Sequence, residues 1–371
     1  MATVYLHIGM PKTATSTLQS VLADNHERLL KNGFLYPKKP RNGDAHHLLV
    51  TDLIEKHQGR SMPDIWYGSK PRGQAWDSLL TEIHDHESDI DSVIISSELF
   101  FGQANHMQQI LENVSDHLRG HEVRIVVYLR RQDQLYSSFY NQDVKGVRQW
   151  SHSAYQFYQT HQLFQQDYHQ MLDSWSSVFG KKHMIIRPFE AEQWPNGDIV
   201  QDFCSILGVE ALHSADRENE DTLGGVQIYL KRCLNKIGFD KGRNDAVLNI
   251  LAEVCPQEPG PRYQYIHRGL YAKYRQNWLD NNRAISSDYL GDKPLFLRPI
   301  PEPGEVDIHK VNRFTVAGCA QHLIAVYSWE KYPEYRRLFA KATALMLAEQ
   351  DLWHALKPSE RVRLLSWCEP E

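Results

Sequence analysis

Short apolar segments alternate with helical patterns through the first half of the chain. Four segments rich in β-branched and aliphatic residues predict buried strands: Thr3–Ile8, Ser92–Ser97, Val123–Leu129 and His183–Arg187. Apolar residues at helical spacing lie between them, as in Leu18, Val21 and Leu22. Strands that alternate with helices predict an α/β fold with a parallel sheet flanked by helices. Ligands bind such sheets at the carboxyl ends of the strands.

The strand pattern disappears from about residue 220 onward. Four stretches then show helical spacing, 222–237, 266–283, 310–330 and 333–356, and Pro- and Gly-rich breaks separate them at Pro256–Pro261 and Lys293–Gly304. We therefore predict an α/β core over residues 1–215 and a mainly helical lobe over residues 216–371, packed on the core.

Composition excludes several classes of protein. Of the 371 residues, 42% are hydrophobic and 11% aromatic, which is typical of an ordered globular chain. No run reaches the ~18 apolar residues needed to span a bilayer, and the first residues lack the features of a signal peptide. The five cysteines form no CxxC pair, which argues against a disulfide scaffold and a zinc ribbon. We therefore expect a cytoplasmic location. A net charge of −5 argues against a nucleic-acid binder.

The loop after the first strand carries the clearest chemical signal. It reads Pro11-Lys12-Thr13-Ala14-Thr15-Ser16-Thr17 and leads into a helix. A helix N-terminus presents unpaired N–H groups and a partial positive charge, to which Lys12 adds a full charge and the hydroxyls add donors. The loop therefore predicts a site for a phosphate-like dianion. It is not a Walker A loop, because its lysine comes early and Pro11, not a glycine, directly precedes it.

The segment from Pro11 to Leu18 resembles the P-K-[ST]-G-T-[TS]-x-L loop of sulfotransferases that use 3'-phosphoadenosine 5'-phosphosulfate (PAPS), although Ala14 replaces the usual glycine. In that family the loop wraps the 5'-phosphosulfate. Arg130, followed eight positions later by Ser138, resembles the family's R-x7-S motif, which binds the 3'-phosphate. Phe189 falls where the family has an aromatic residue beside the adenine. The resemblance covers residues 3–210, is closest to bacterial and glycan-type members, and implies a P-loop-like sheet.

The resemblance also implies an activity. The enzyme would move the sulfuryl group of PAPS to a hydroxyl of a saccharide or glycosylated metabolite, release 3',5'-ADP and need no metal. Lys12 would stabilise charge on the leaving phosphate oxygen, and the helical lobe would supply elements on the acceptor side. Two alternatives remain, a nucleotide-dependent kinase that uses the same loop and a non-catalytic nucleotide-binding module.

Two places offer a general base for the acceptor hydroxyl. Glu98 directly follows the second predicted strand, where glycan-type members use a glutamate and small-molecule members a histidine. His46 and His47 lie in the loop after the first helix, and a histidine has a suitable ordinary pKa. We predict Glu98 as the base because strand ends face the ligand crevice, with His46 and His47 as alternatives.

Overall fold

The computed structural model describes residues 1–106, 108–161, 167–212, 223–255, 268–302 and 313–369. Five strands lie within them: β1 Thr3–His7, β2 Phe34–Leu35, β3 Ser92–Ser96, β4 Glu122–Leu129 and β5 Met184–Pro188. The α-helices are α1 Thr15–Asp24, α2 His26–Lys31, α3 His47–Gln58, α4 Ala75–Asp85, α5 Gln108–His117, α6 Gln132–Lys145, α7 Ala154–His161, α8 Tyr168–Phe179, α9 Ile199–Leu207, α10 Gly225–Ile237, α11 Asn244–Val254, α12 Arg268–Tyr289, α13 Arg313–Gln321, α14 Pro333–Glu349 and α15 Pro358–Cys368.

The strands form one sheet in the order β2-β3-β1-β4-β5, and every pairing is parallel. At the centre, His7 of β1 lies beside Ser96 of β3 on one side and Val126 of β4 on the other. The predicted α/β fold with a parallel, helix-flanked sheet is confirmed, and each predicted strand is present. The sequence did not indicate β2, because a two-residue strand carries no measurable periodicity.

One face of the sheet packs against α1 and α9. A cluster of buried side chains joins Tyr5 and Val126 of the strands to Leu18 of α1 and Phe203 of α9. Burial of an apolar side chain of this size stabilises the fold by about 1.5–3 kcal/mol. This packing fixes α1 against the sheet, and it thereby fixes the loop that joins β1 to α1.

The chain divides into two compact units. The first contains the whole sheet and comprises Met1–Arg131, Gln166–Asn219 and Gln276–Ile300; the second comprises Gln132–Gln165, Glu220–Arg275 and Pro301–Glu371. The C-terminal part is mainly helical, as predicted. The predicted boundary between residues 215 and 216 lies outside the described residues. Residues 132–165 join the second unit because α6 packs on α10, a partner that helical spacing alone does not reveal.

The helices of the C-terminal part differ in detail from the prediction. Helix α12 continues to Tyr289, α11 and α15 were not predicted, and α13 ends at Gln321 before a π-helical turn, His322–Val326. The break at Pro256–Pro261, residues 303–304 of the second break, and residues 222, 266–267 and 310–312 of the predicted helices lie outside the described residues. No helix in the described ranges is long and apolar enough to cross a membrane.

Lys231 of α10 is a completely buried lysine in the second unit. Its Nζ donates to Val144 O at 3.2 Å and Asn235 Oδ1 at 2.6 Å, and burial lowers its pKa to about 7. Between about pH 7 and the ordinary lysine pKa of about 10.4 the unfolded chain therefore binds more protons, so the free energy of unfolding should rise with pH in this window by up to about 1.4 kcal/mol per unit. In Lys231→Met this contribution should vanish. Urea unfolding of both proteins at neutral and alkaline pH measures it, and an equal pH dependence would contradict the expectation.

Candidate active site at the carboxyl edge of the sheet

The residues singled out from the sequence follow neighbouring strands. The strands β3, β1, β4 and β5 are adjacent and parallel, so their carboxyl ends share one edge. Along this edge lie, in order, Glu98 after β3, the loop after β1, Arg130 after β4 and Phe189 after β5. Residues separated by more than 170 positions in the chain are thus aligned in a row.

Gly9 brings the loop against Glu98. Its φ of +103° is a conformation that glycine adopts readily, and a Cβ there would lie 2.9 Å from Glu98 Cβ and 3.0 Å from Glu98 Cα. Hydrogen bonds tie the same segment to β4 on its other side, since Tyr128 N donates to Gly9 O at 2.8 Å and Met10 N donates to Tyr128 O at 3.1 Å. The start of the loop is therefore wedged between the two neighbouring strand ends.

The rest of the loop turns sharply into α1. Lys12 and Ala14 both have left-handed backbones, with φ of +68° and +57°. The buried Thr13 hydroxyl donates to Met10 O at 2.6 Å, so it supports the loop's own fold. Thr15 is buried, Ser16 is exposed, and Pro11, Lys12 and Thr17 are half-buried. Backbone N–H groups of the first turn of α1, with the Lys12 ammonium, are the features suited to an anion.

Ala14 adopts the left-handed conformation that glycine accommodates best. The left-handed region costs a residue with a Cβ roughly 1–2 kcal/mol. Replacement by glycine should therefore raise the free energy of unfolding, by about 1 kcal/mol once the greater freedom of the unfolded chain is subtracted. Ala23→Gly, within α1, is the matched control and should lower stability instead. Thermal unfolding of both variants tests this, and a loss of stability in Ala14→Gly would contradict it.

Arg130 connects the loop to the end of β5. Its Nη1 donates to Lys12 O at 2.8 Å, and its guanidinium lies 5.3 Å from the centroid of the Phe189 ring. Phe189 N in turn donates to Leu129 O at 2.7 Å. The structure thus brings Lys12, Arg130 and Phe189 together. Ser138 is half-buried on α6 in the second unit, and its pairing with Arg130 stays a prediction.

Glu98 is oriented by Gln19, a residue that the sequence reasoning missed. Gln19 Nε2 donates to Glu98 Oε2 at 2.9 Å and to Ser96 Oγ at 3.3 Å, and Ser96 Oγ lies 2.8 Å from His7 Nδ1. Gln19 and His7 are both buried, and burial lowers the pKa of His7 to about 4, so this histidine is neutral. A polar residue beside Leu18 on the apolar face of α1 was the signal available in the sequence.

His46 is buried and makes hydrogen bonds with the backbone, which indicates a structural role. Its side chain is fully buried; Nδ1 accepts a hydrogen bond from Ser96 N at 3.1 Å, and Nε2 lies 2.9 Å from Pro37 O. Because Nδ1 accepts, Nε2 carries the proton and donates to this carbonyl. Burial lowers the pKa of His46 to about 3. Both ring nitrogens are engaged with the backbone, which argues against His46 as a base.

His47 lies beside Glu98. Its Nε2 is 3.9 Å from Glu98 Oε1, and its Nδ1 is 2.8 Å from Ser97 Oγ. The ring of Trp66 meets the imidazole edge-on at a centroid distance of 5.5 Å. Burial lowers the pKa of His47 while the Glu98 carboxylate opposes the shift. The side chains keep 15% and 20% exposure respectively, so a ligand group can reach both.

Within the described ranges, no group of three or more His, Cys, Asp or Glu side chains is arranged to hold a metal ion. The polar groups gathered at this edge are a lysine, an arginine, backbone N–H groups and a carboxylate beside a histidine. This set can bind an anion and accept a proton from a neighbouring hydroxyl.

Comparison with known proteins adds little about activity. No protein-family model matches the chain, and no solved structure matches it. A curated protein of Archaeoglobus fulgidus, described only as uncharacterized, is 24% identical over 208 residues, which is 55% of this chain and 55% of the relative. The chain thus spans about half the length of that relative, and the similarity names no ligand or reaction.

Proposed function

We propose that the chain is a PAPS-dependent sulfotransferase that acts on a hydroxyl of a saccharide or glycosylated metabolite. The observation that carries the proposal is the row at the sheet edge, in which the lysine-containing loop lies between Glu98 on one side and Arg130 on the other. An anion-binding loop flanked by a proton acceptor and a second cation fits transfer from a donor with two anionic groups. The five cysteines, which form no CxxC pair, support a cytoplasmic location for this enzyme.

Different residues of this row bind different parts of the donor, PAPS. The loop from Pro11 to Thr17 binds the 5'-phosphosulfate through backbone N–H groups at the start of α1 and through Lys12. Arg130 binds the 3'-phosphate, and Phe189 packs on the adenine; for Ser138, a role at the 3'-phosphate rests on the family resemblance alone. A planar guanidinium suits a phosphate because it donates two parallel hydrogen bonds.

The reaction is an in-line displacement at sulfur. A lone pair of the acceptor oxygen forms the new O–S bond while its proton passes to Glu98. The bond from sulfur to the bridging oxygen breaks, and its electron pair stays on the phosphate of 3',5'-ADP. Lys12 stabilises the negative charge that accumulates on this oxygen. Atoms and charge balance without a further reactant.

Transfer of ³⁵S from labelled PAPS to a panel of sugars, glycosides, lipids and phenols tests the proposal. We expect label on a saccharide or a glycosylated metabolite and release of 3',5'-ADP in equal amount. The same assay on Lys12→Ala should show transfer slowed by about 10²-fold or more. A chain that transfers no label to any acceptor, or that transfers phosphate from ATP to the same panel, would contradict the proposal.

Arg130→Ala should weaken 3',5'-ADP binding by roughly 1.5–3 kcal/mol, the range for a hydrogen bond to a charged group. Affinity for 5'-AMP, which lacks the 3'-phosphate, should barely change. Arg124→Ala is the matched control, because Arg124 lies near the amino end of β4, the strand that Arg130 follows, and pairs with Glu122. Calorimetric titration of both nucleotides measures the difference. Equal losses for the two nucleotides would mean that Arg130 acts structurally and does not recognise the 3'-phosphate.

A further inference from the structure

A gap of defined size separates Glu98 from His47. The 3.9 Å between Glu98 Oε1 and His47 Nε2 is too long for a direct hydrogen bond. One oxygen atom can lie about 2.8 Å from both, which is the geometry of a bridging water or hydroxyl. The other carboxylate oxygen, Oε2, already accepts from Gln19. Oε1 is therefore the oxygen directed at the gap.

Ser97 determines which nitrogen of His47 carries the proton. Leu99 N donates to Ser97 Oγ at 3.3 Å, and among the described residues the other partner of this oxygen is His47 Nδ1 at 2.8 Å. Among the described residues, the hydroxyl hydrogen of Ser97 has no other acceptor, so it points at Nδ1 of His47. The proton of the neutral imidazole then lies on Nε2, facing Glu98.

From this arrangement, and resting on the proposed function, we infer that the acceptor hydroxyl binds in the gap between the two side chains. His47 Nε2–H donates to the acceptor oxygen, and the hydroxyl proton points at Glu98 Oε1. Glu98 takes the proton as the oxygen attacks sulfur, whereas His47 keeps its own proton and orients the oxygen. His47 is thus a hydrogen-bond donor to the substrate and not the general base.

Ser97 is a positioning residue in this account. Without its hydroxyl, the imidazole can exchange between tautomers, and only the one protonated on Nε2 is productive. Trp66 limits rotation of the ring from a second side. Two polar neighbours, Gln19 for Glu98 and Ser97 for His47, therefore set which atoms of the pair face the acceptor.

Steady-state kinetics of three variants test the inference in the full chain. His47→Phe keeps an aromatic ring but removes the donor, and it should lower kcat/KM for the acceptor by about 10- to 100-fold, the scale for loss of substrate orientation. His47→Gln retains an amide N–H and should recover much of that loss. Ser97→Ala should lose activity by only a few-fold. Calorimetric affinity for 3',5'-ADP should match the wild type in each, which also reports that the variants fold.

The pH–rate profile separates orientation from proton transfer. If His47 only donates a hydrogen bond, the acidic limb of kcat persists in His47→Phe and in His47→Gln, because Glu98 still accepts the proton. Loss of that limb in both variants, with no recovery in His47→Gln, would make His47 the base and overturn the inference. Wild-type kinetics in all three variants would overturn it as well. A wild-type chain that binds 3',5'-ADP but transfers no sulfate defeats the proposed function, and the inference fails with it.

Discussion

Glu98→Gln should lower kcat for sulfuryl transfer by about 10²- to 10⁴-fold, the usual contribution of a general base. The variant keeps the size of the side chain and one oxygen for the Gln19 amide, so the loop and the affinity for 3',5'-ADP should be unchanged. What it loses is the ability to accept the proton of the acceptor hydroxyl. Single-turnover measurements with labelled PAPS isolate this step from product release.

The matched control is Glu190→Gln at the same edge of the sheet. Glu190 follows β5 and accepts hydrogen bonds from Leu297 N at 2.7 Å and Arg298 N at 2.9 Å. Its replacement should lower stability but leave kcat nearly intact. A Glu98→Gln variant with wild-type turnover, beside an inactive His47 variant, would transfer the role of base to His47.

Lys12→Ala should lower kcat by about 10²-fold or more, the scale for removal of a preorganised group that stabilises charge in the transition state. Affinity for PAPS should fall less, because the backbone N–H groups at the start of α1 remain. Lys12→Met separates charge from packing, since it keeps most of the side chain and removes only the ammonium. Rapid-quench kinetics at saturating PAPS measure the loss.

The control for Lys12 is Lys12→Arg, which restores a cation at the same left-handed backbone position. It should recover part of the activity that both neutral variants lose. Turnover near the wild-type value in Lys12→Ala would remove this lysine from the chemistry and leave it as a residue of the loop surface.

The sequence was informative where a local pattern determines a local structure. Buried parallel strands are continuous apolar runs, so β1, β3 and β4 could be located from the order of their residues. The edge strand β5 is mostly half-buried, and the apolar run Met184–Ile186 located it. The same holds for the loop from Pro11 to Thr17, because its charge, hydroxyls and position before a helix are all local features. Parallel pairing then places Glu98, the loop, Arg130 and Phe189 at one edge.

The sequence was uninformative where the result depends on a partner far along the chain. His46 and His47 are adjacent and chemically identical, yet one is fixed by Ser96 N and Pro37 O while the other faces Glu98. Gln19 gains a role only because α1 packs on β3. Helical periodicity reports that one face is buried and not what covers it, so it could not assign α6 to the second unit.

The most direct test of the central claim is a calorimetric titration of the wild-type chain with 3',5'-ADP and, separately, with ATP and Mg²⁺. The loss of a charged hydrogen bond to the 3'-phosphate corresponds to roughly 10- to 100-fold in affinity. We therefore expect 3',5'-ADP to bind at least about tenfold more tightly than ATP. Tighter binding of ATP in the presence of Mg²⁺ would contradict the account and favour a nucleotide-dependent kinase.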